Sequence, residues 1–337
     1  MKKPRIQDIA EASGVTASTV SRVLRDESHV SNEKKELVMS AARELGYDFF
    51  KQAPVKKVPQ ILIVSYGNVS ETNPLFAGIN EAICLEFQKI NYNCIFHYVQ
   101  ELDTTDVMSL FNKIKSLAFD GVVFTCIDYI GNLSAFRKLL FPLSVPTVMI
   151  ERFPDVFGIN KLMIDSQEAI FLAVKYLHEH GHKKIALLSP DNSNEVEQMR
   201  KKGFQYAAEV FGITEDAHFI TVDSYTGASG QKALKEFTRQ HDMPTGIICS
   251  DMIMTGIYNY MYEQNIRIPD DVSLIGLDDA LAGSMTPPLT SISFPIQEIA
   301  AATVQMLTDE NSKLAKTVSL STHLVERSSV ARAPKKG

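Results

Sequence analysis

The sequence predicts an all-α helix-turn-helix headpiece joined to an α/β core of two doubly wound parallel-sheet lobes. Three observations carry this fold class. The stretch Ile6–Arg25, IQDIAEASGVTASTVSRVLR, reads as a helix, a tight turn and a second helix. Prolines and lysines then gather in Phe49–Gln60, FFKQAPVKKVPQ, which marks a linker. Beyond it, short apolar runs alternate with amphipathic stretches, the pattern of successive β-α-β units.

In the first element Ile6, Ile9 and Ala10 fall at i, i+3 and i+4 on one helical face, and Gly14 supplies a position where positive φ costs nothing. Thr16 is placed to cap the second helix, whose apolar face is Val20, Val23 and Leu24. Ala10 is small where two helices joined by so short a turn must touch. The opposite face, Ala17, Ser18, Ser21 and Arg22, is small, polar and basic, which suits a helix laid in the major groove of DNA. A solvated helix pair in some other small bundle is the alternative. A third helix weighs against it: Ser31 can cap, Glu33 sits in the first turn, Leu37, Val38, Ala41, Ala42 and Leu45 form a buried stripe, and Gly46 closes.

The run TVSRVL, then HVS, then a helix ending ELGY, is similar to the headpiece of the lactose/galactose repressor (LacI/GalR-type) family of bacterial transcription regulators. The resemblance continues through EHGHKKIALL, IPDDVSLIGLDD, TPPLTSIS and LVERSS, so it covers almost the whole chain. It implies a periplasmic-binding-protein-like core and makes Thr16, Ala17, Ser18, Thr19, Ser21, Arg22, His29, Lys56 and Lys57 candidate DNA contacts. The family usually has a hinge helix in the linker, with a leucine wedged into the minor groove. Here Pro54 would interrupt such a helix and Lys56 with Lys57 stands in the leucine's region; lysine holds phosphate but cannot wedge a base step. Looser coupling of headpiece to core is the expectation.

The net charge of −6 conceals an asymmetry. Residues 1–57 hold 11 lysines and arginines against 8 aspartates and glutamates, leaving 23 against 32 for residues 58–337. The basic excess is at the front and modest, so one headpiece alone should hold phosphate weakly. Hydrophobic residues make up 45% of the 337, enough for real cores and too many for a disordered chain. Cys84, Cys94, Cys126 and Cys249 have neither CxxC nor CxxH spacing and read as buried thiols of a reducing compartment. No metal or cofactor is implied. The basic start lacks an apolar segment behind it, and no apolar run approaches membrane-spanning length, so a cytoplasmic protein without membrane attachment is expected.

In the core, Ile61–Val64, Cys94–Val99, Gly121–Thr125 and Pro146–Ile150 read as buried strands, with helices at Phe76–Gln88, Asp106–Ala118 and Leu133–Leu140. A second series runs through Leu162–Ile164, Ile185–Leu188, His218–Val222, Gly246–Cys249 and Val272–Leu277. The resulting division is a DNA-binding domain at 1–48, a linker or hinge at 49–60 and an effector-binding and dimerisation domain at 61–337. Within the last, lobe 1 spans about 61–161 and 292–320, and lobe 2 about 162–291 and 321–337. The resemblance assigns TSISFPIQEIAAATVQML to the first lobe and THLVERSSV to the second, a triple crossing that makes a hinge.

Ligands of open α/β sheets bind beyond the carboxyl ends of the strands. Those ends offer Tyr66, Glu151, Ser250, Asp251, Asp278 and Asp279, while loops add Asn73, Phe76, Arg200 and Tyr225. Carboxylates, an arginine and aromatic faces suit a polyhydroxylated ligand, although each could instead be a cap or surface charge. The resemblance raises Arg200 in RKKGF, Asp278 in GLDDA, Tyr225 before Ser229-Gly230, and Glu151 in IER; Ser250 stands where the family generally has Asn. Rival readings are a two-lobed solute-binding protein, which the headpiece speaks against, and a carbohydrate-active enzyme. No GxSxG, P-loop, GxGxxG or HExxH supplies a catalytic set for the latter. The reading is therefore a repressor, homodimeric or tetrameric, on a roughly palindromic operator, controlled by a small-molecule effector of the sugar class.

Overall fold

The structure is a computed structural model that describes residues 4–24, 30–47, 58–66, 73–99, 109–110, 112, 114, 116, 119–125, 145–151, 158–190, 195–309 and 314–334. The predicted contacts His29, Lys56 and Lys57, the linker centre at Pro54, Cys126, the predicted helix Leu133–Leu140 and most of the predicted helix Asp106–Ala118 lie outside them. The chain divides into two compact units, Met1–Val58 and Pro59–Gly337.

Among the described residues the first unit holds three helices: α1 (Ile6–Ser13), α2 (Ala17–Leu24) and α3 (Asn32–Glu44). Ile9, Val20, Val23, Val38, Ala41, Ala42 and Tyr47 form its centre. Gly14 ends α1 at φ 68, and Val15 N–H reaches back to Ala10 O at 3.2 Å. The predicted stripe of α3 needs correcting at both ends, because Leu37 is 49% and Leu45 40% exposed. Leu37 lies about 100° around the helix from Val38. Leu45 is already the cap residue, and the turn at Gly46 (φ 67) returns Tyr47 to the core instead, with Tyr47 N–H bonded to Ala42 O at 2.8 Å.

The second unit is built on two six-stranded sheets. Its elements are β1 (Gln60–Tyr66), α4 (Pro74–Lys89), β2 (Asn93–Val99), β3 (Gly121–Thr125), β4 (Thr147–Ile150), β5 (Asn160–Ile164), α5 (Ser166–Glu179), β6 (Ile185–Pro190), α6 (Glu195–Phe211), β7 (Ala217–Val222), α7 (Gly227–Phe237), β8 (Gly246–Ser250), α8 (Asp251–Glu263), β9 (Ser273–Asp278), β10 (Thr290–Ser293), α9 (Ile296–Thr308), β11 (Thr317–Leu320) and β12 (His323–Val325). The first sheet runs β11-β5-β4-β3-β1-β2 and the second β12-β10-β9-β8-β6-β7. Every pairing is parallel except β10 with β12. Central strands such as β3, β6, β8 and β9 are buried along their whole length, as sheets covered on both faces require.

In the first lobe Ile79, Ile83 and Phe87 of α4 meet Ile299, Ala300 and Leu307 of α9 over β1, β3 and β4. The second lobe carries one apolar cluster under α7 and α8 and another under α5 and α6. Cys249 is buried, whereas Cys84 and Cys94 are half-buried at the margin of the first cluster, which corrects the expectation of burial for those two.

Two strands sit in the other lobe from the one predicted. Leu162–Ile164 lies in the first sheet, in β5 between β4 and β11, and Thr290–Ser293 pairs with β9 in the second. Apolar runs look alike whichever sheet receives them, so periodicity could not allot them. The edge strand β11, with its alternate residues exposed, went unread.

The chain therefore crosses between lobes three times: from β5 to α5 through Asp165, from β10 to α9 through Phe294 and Pro295, and from β11 to β12 through Ser321 and Thr322. Each parallel strand leaves its sheet at its carboxyl end and enters the opposite lobe within two residues. The carboxyl edges of both sheets consequently face a shared junction, and side chains at the strand ends are delivered there.

Candidate functional site

In the headpiece, Thr16 Oγ1 accepts from Thr19 N–H at 3.2 Å and so caps α2; it also lies 3.0 Å from Ser18 Oγ and 2.9 Å from Thr19 Oγ1. Val20 and Val23 point into the centre, which turns Ala17, Ser18 and Arg22 outward as exposed residues, with Thr19 and Ser21 half-buried beside them. Thr16 is exposed at the head of the helix. All six described candidates thus fall on one helix and its cap, and Arg22 presents the guanidinium fork that can grip a guanine.

At the junction of the lobes the predicted residues separate into groups. Phe76 is 4% exposed within the first lobe's apolar cluster, and Asn73 is the N-cap of α4, its Oδ1 accepting from Leu75 N–H at 3.0 Å; packing and capping account for both. Tyr66 ends β1, with only its backbone described. Glu151 follows β4 directly, is 4% exposed, and its carboxylate accepts from Ile164 N–H while its own N–H reaches Leu162 O at 2.9 Å, tying β4 to β5.

Around β8 and β9 the polar groups converge. Asp278 Oδ1 accepts from Asp251 N–H at 3.2 Å. Asp251 Oδ2 accepts from Leu281 N–H at 2.8 Å and Ala282 N–H at 3.0 Å, so this carboxylate fastens the loop after β9. Burial, only partly offset by those N–H groups, pushes the Asp251 carboxyl up to about 6. Room for it comes from Gly276, where a Cβ would stand 2.4 Å from Asp251 Oδ1. Asp279 pairs with Arg327 at 2.7 Å. Ser250 Oγ is buried with no hydrogen-bond partner among the described residues. Glu151, Asp278 and Asp279 hold φ of 46°, 100° and 57°, strained backbone of the kind that gathers at binding sites.

Arg200 leads to a residue the sequence reading missed. Its Nη1 donates to Glu197 Oε1 at 3.1 Å, one turn earlier on α6. Glu197 also accepts from Tyr225 O–H and from Ser189 O–H, so a 2%-exposed carboxylate gathers α6, the loop after β7 and the end of β6. Burial raises the Cys249 thiol well above its usual value; Asp251 and Asp278 add to this and Arg200 opposes it, which sets these groups around one point. Two signals could have found Glu197: it lies three residues before Arg200 on the same helical face, and Ser189 stands at a strand's carboxyl end. In the first lobe, Thr125 at the end of β3 donates to Asn80 Oδ1 at 3.2 Å, also unread. Such a set offers many hydrogen-bond donors and acceptors in fixed places. Among the described residues no group of three or more His, Cys, Asp or Glu side chains could hold a metal ion.

The model of bacterial regulatory proteins of the lacI family matches residues 5–48, and that of the periplasmic binding protein-like domain matches residues 174–330. The ribose operon repressor of Haemophilus influenzae is 29% identical over 310 residues, covering 90% of each chain. The HTH-type transcriptional repressor PurR of Pasteurella multocida is 27% identical over 333 residues, 96% of this chain and 98% of its own. Among solved structures, the Lac repressor dimer bound to operator and the anti-inducer ONPF superposes with a TM-score of 0.72 at 21% identity, over 98% of this chain and all of that one. The transcriptional regulator CelR in complex with cellobiose gives 0.69 at 24% identity over 97% and 100%. Both likenesses concern the fold. No helix among the described residues is long and apolar enough to cross a membrane.

Proposed function

Because this chain belongs to the lacI family of bacterial regulatory proteins, we propose that it is a sequence-specific DNA-binding repressor whose operator affinity is set by a sugar bound between its two lobes. One observation carries the reading. A single chain joins a helix-turn-helix unit, with a polar and basic outer face, to two sheets whose carboxyl edges meet across three short crossings. The first part reads DNA through Thr16, Ala17, Ser18, Thr19, Ser21 and Arg22. The second receives the effector against Glu151, Arg200, Tyr225, Ser250 and Asp278, with Asp251 fastening the loop after β9.

A sugar is favoured by the hydroxyl-matching groups at the junction. The relative named a ribose operon repressor and the fold relative holding cellobiose lend the same class support. The protein acts in the cytoplasm as a homodimer, since a weakly basic headpiece gains from being doubled on a palindromic site. Half-sites about 34–36 Å or a multiple apart tolerate little error, so a change of lobe angle on effector binding alters operator affinity. Linkage allows the effector to act with either sign. The test is fluorescence anisotropy of the full chain with fragments of its own genome, at low salt, with and without common sugars. Preference for a small set of fragments that a sugar changes is the expected result. Equal affinity for all fragments under every condition overturns the proposal.

A further inference from the structure

We propose that the effector is electrically neutral, and that Glu197 is the residue which excludes phosphorylated and carboxylated ligands. This deepens the sugar reading above and rests on it. An arginine at the carboxyl edge of an α/β sheet would ordinarily offer itself to an anion, because the guanidinium fork matches phosphate and carboxylate. Here the Arg200 fork is engaged inside the protein: Nη1 is 3.1 Å from Glu197 Oε1, with the arginine side chain 6% and the glutamate 2% exposed. Tyr225 and Ser189 hydroxyls donate to the same carboxylate, so the glutamate is fixed where it neutralises the arginine. In surroundings this dry, a compensating charge in contact cancels most of the attraction an incoming anion would feel.

The neighbours deepen the exclusion. Asp251 opens α8 just after β8, Asp278 ends β9, Glu151 follows β4 in the other lobe, and Asp279 takes up Arg327 at 2.7 Å. Among the described residues of the junction, carboxyl groups outnumber guanidiniums, so an anionic ligand meets like charge. A neutral polyol meets none. Its vicinal hydroxyls find acceptors in the carboxylates and a partner of either sense in the buried Ser250 hydroxyl.

The experiment titrates the full chain and Glu197→Gln with inorganic phosphate, free pentoses and hexoses, and the phosphate esters of the same sugars, following thermal stabilisation. Glutamine keeps the shape and removes the charge. Wild type is expected to respond to a free sugar and not to its ester or to phosphate. Glu197→Gln should lose about tenfold or more in sugar affinity and acquire stabilisation by phosphate, the strength of a charge-assisted hydrogen bond. A wild-type protein that binds an ester more tightly than the parent sugar overturns the inference, as does a folded Glu197→Gln that gains nothing from phosphate. If no sugar acts on wild type but Glu197→Gln gains phosphate binding, neutrality stands and the sugar class falls. If circular dichroism shows Glu197→Gln to be unfolded, the wild-type comparison of sugar with ester decides alone.

Discussion

Replacing Gly203 by alanine tests how α6 is brought to the junction. In a helix this exchange ordinarily stabilises, by roughly 0.5–1 kcal/mol, because glycine loses more chain entropy. At Gly203 the added Cβ would stand 2.6 Å from the carbonyl oxygen of Gln167 and 3.0 Å from its Cα. Both are backbone atoms of α5, which cannot rotate aside. To restore ordinary contact α6 must withdraw by roughly 0.8 Å, loosening Phe204, Ala207 and Ala208 from Ala169, Ile170 and Ala173 in a close-packed cluster. Overpacking of this kind costs about 1–3 kcal/mol, so it outweighs the propensity gain and leaves a net loss of up to about 2 kcal/mol. For a lobe of this size the melting temperature should fall by about 2–8 °C. Gly256→Ala should be worse, since its Cβ would lie 1.7 Å from Gly227 O. Gly78→Ala, 3.6 Å from the movable tip of Ile296, should show the ordinary gain. Differential scanning calorimetry of the three variants reads this order directly. A Gly203→Ala protein melting as high as Gly78→Ala would refute the reasoning. Arg200 rides on the displaced helix, so weaker effector binding should accompany the loss.

Arg22→Ala should flatten preference among operator variants by about 1–3 kcal/mol at the base it contacts, while affinity for random DNA changes much less; competition binding at fixed salt measures both. Asp278→Asn keeps the side chain's size and tolerates positive φ, so operator affinity without effector should stay unchanged while the response to sugar weakens about tenfold; an unaltered titration midpoint removes Asp278 from the site. His182 is fully buried between Thr245 Oγ1 at 3.1 Å and Ala331 O at 3.0 Å, and burial holds its imidazole below the usual value. The unfolded chain protonates it from about pH 6.5 downward, so the stability tied to the neutral ring is full above that pH and lost as pH falls below it. Asp251, raised to about 6, contributes with the opposite sign between roughly pH 4 and 6. His182→Asn should therefore reduce the loss of melting temperature between pH 7.5 and 6, and a slope equal to wild type counts against the assignment.

Periodicity made the headpiece legible because a short helix pair can bury only one face. Ile9, Val20 and Val23 are fixed by spacing alone, and Thr16 by its place before the apolar run. Buried strands were legible for a similar reason: a sheet covered on both faces needs continuous apolar runs. Their allotment was not. Leu162–Ile164 and Thr290–Ser293 pair with partners chosen by where the chain crosses, a long-range fact that a run of apolar residues does not carry. In the site, strand-end position drew attention to Glu151, Ser250 and Asp278. It could not distinguish a carboxylate held for ligand from one spent on backbone, as Asp251 is on Leu281 and Ala282. The sequence offers Phe76 as an aromatic face for a ligand because it says nothing about which way a helix faces, and the structure turns it into the core.

The crossings also decide what motion the proposed switch can use. Asp165, the sole residue of the first crossing, donates its N–H to Leu320 O at 3.1 Å and caps α5 by accepting from Glu168 N–H at 2.9 Å. Leu320 is the last residue of β11, where the third crossing begins. That bond continues the parallel β5–β11 pairing by one step, so two of the three connections leave the first lobe side by side, and the third is short and carries Pro295. Crossings of one to two residues hold the lobes together at this edge, and rotation about them leaves the Asp165–Leu320 bond, which lies within the first sheet, intact. In the proposed switch, lobe closure on a ligand would therefore be an angular change, and angle is the variable that a pair of headpieces on fixed half-sites would read.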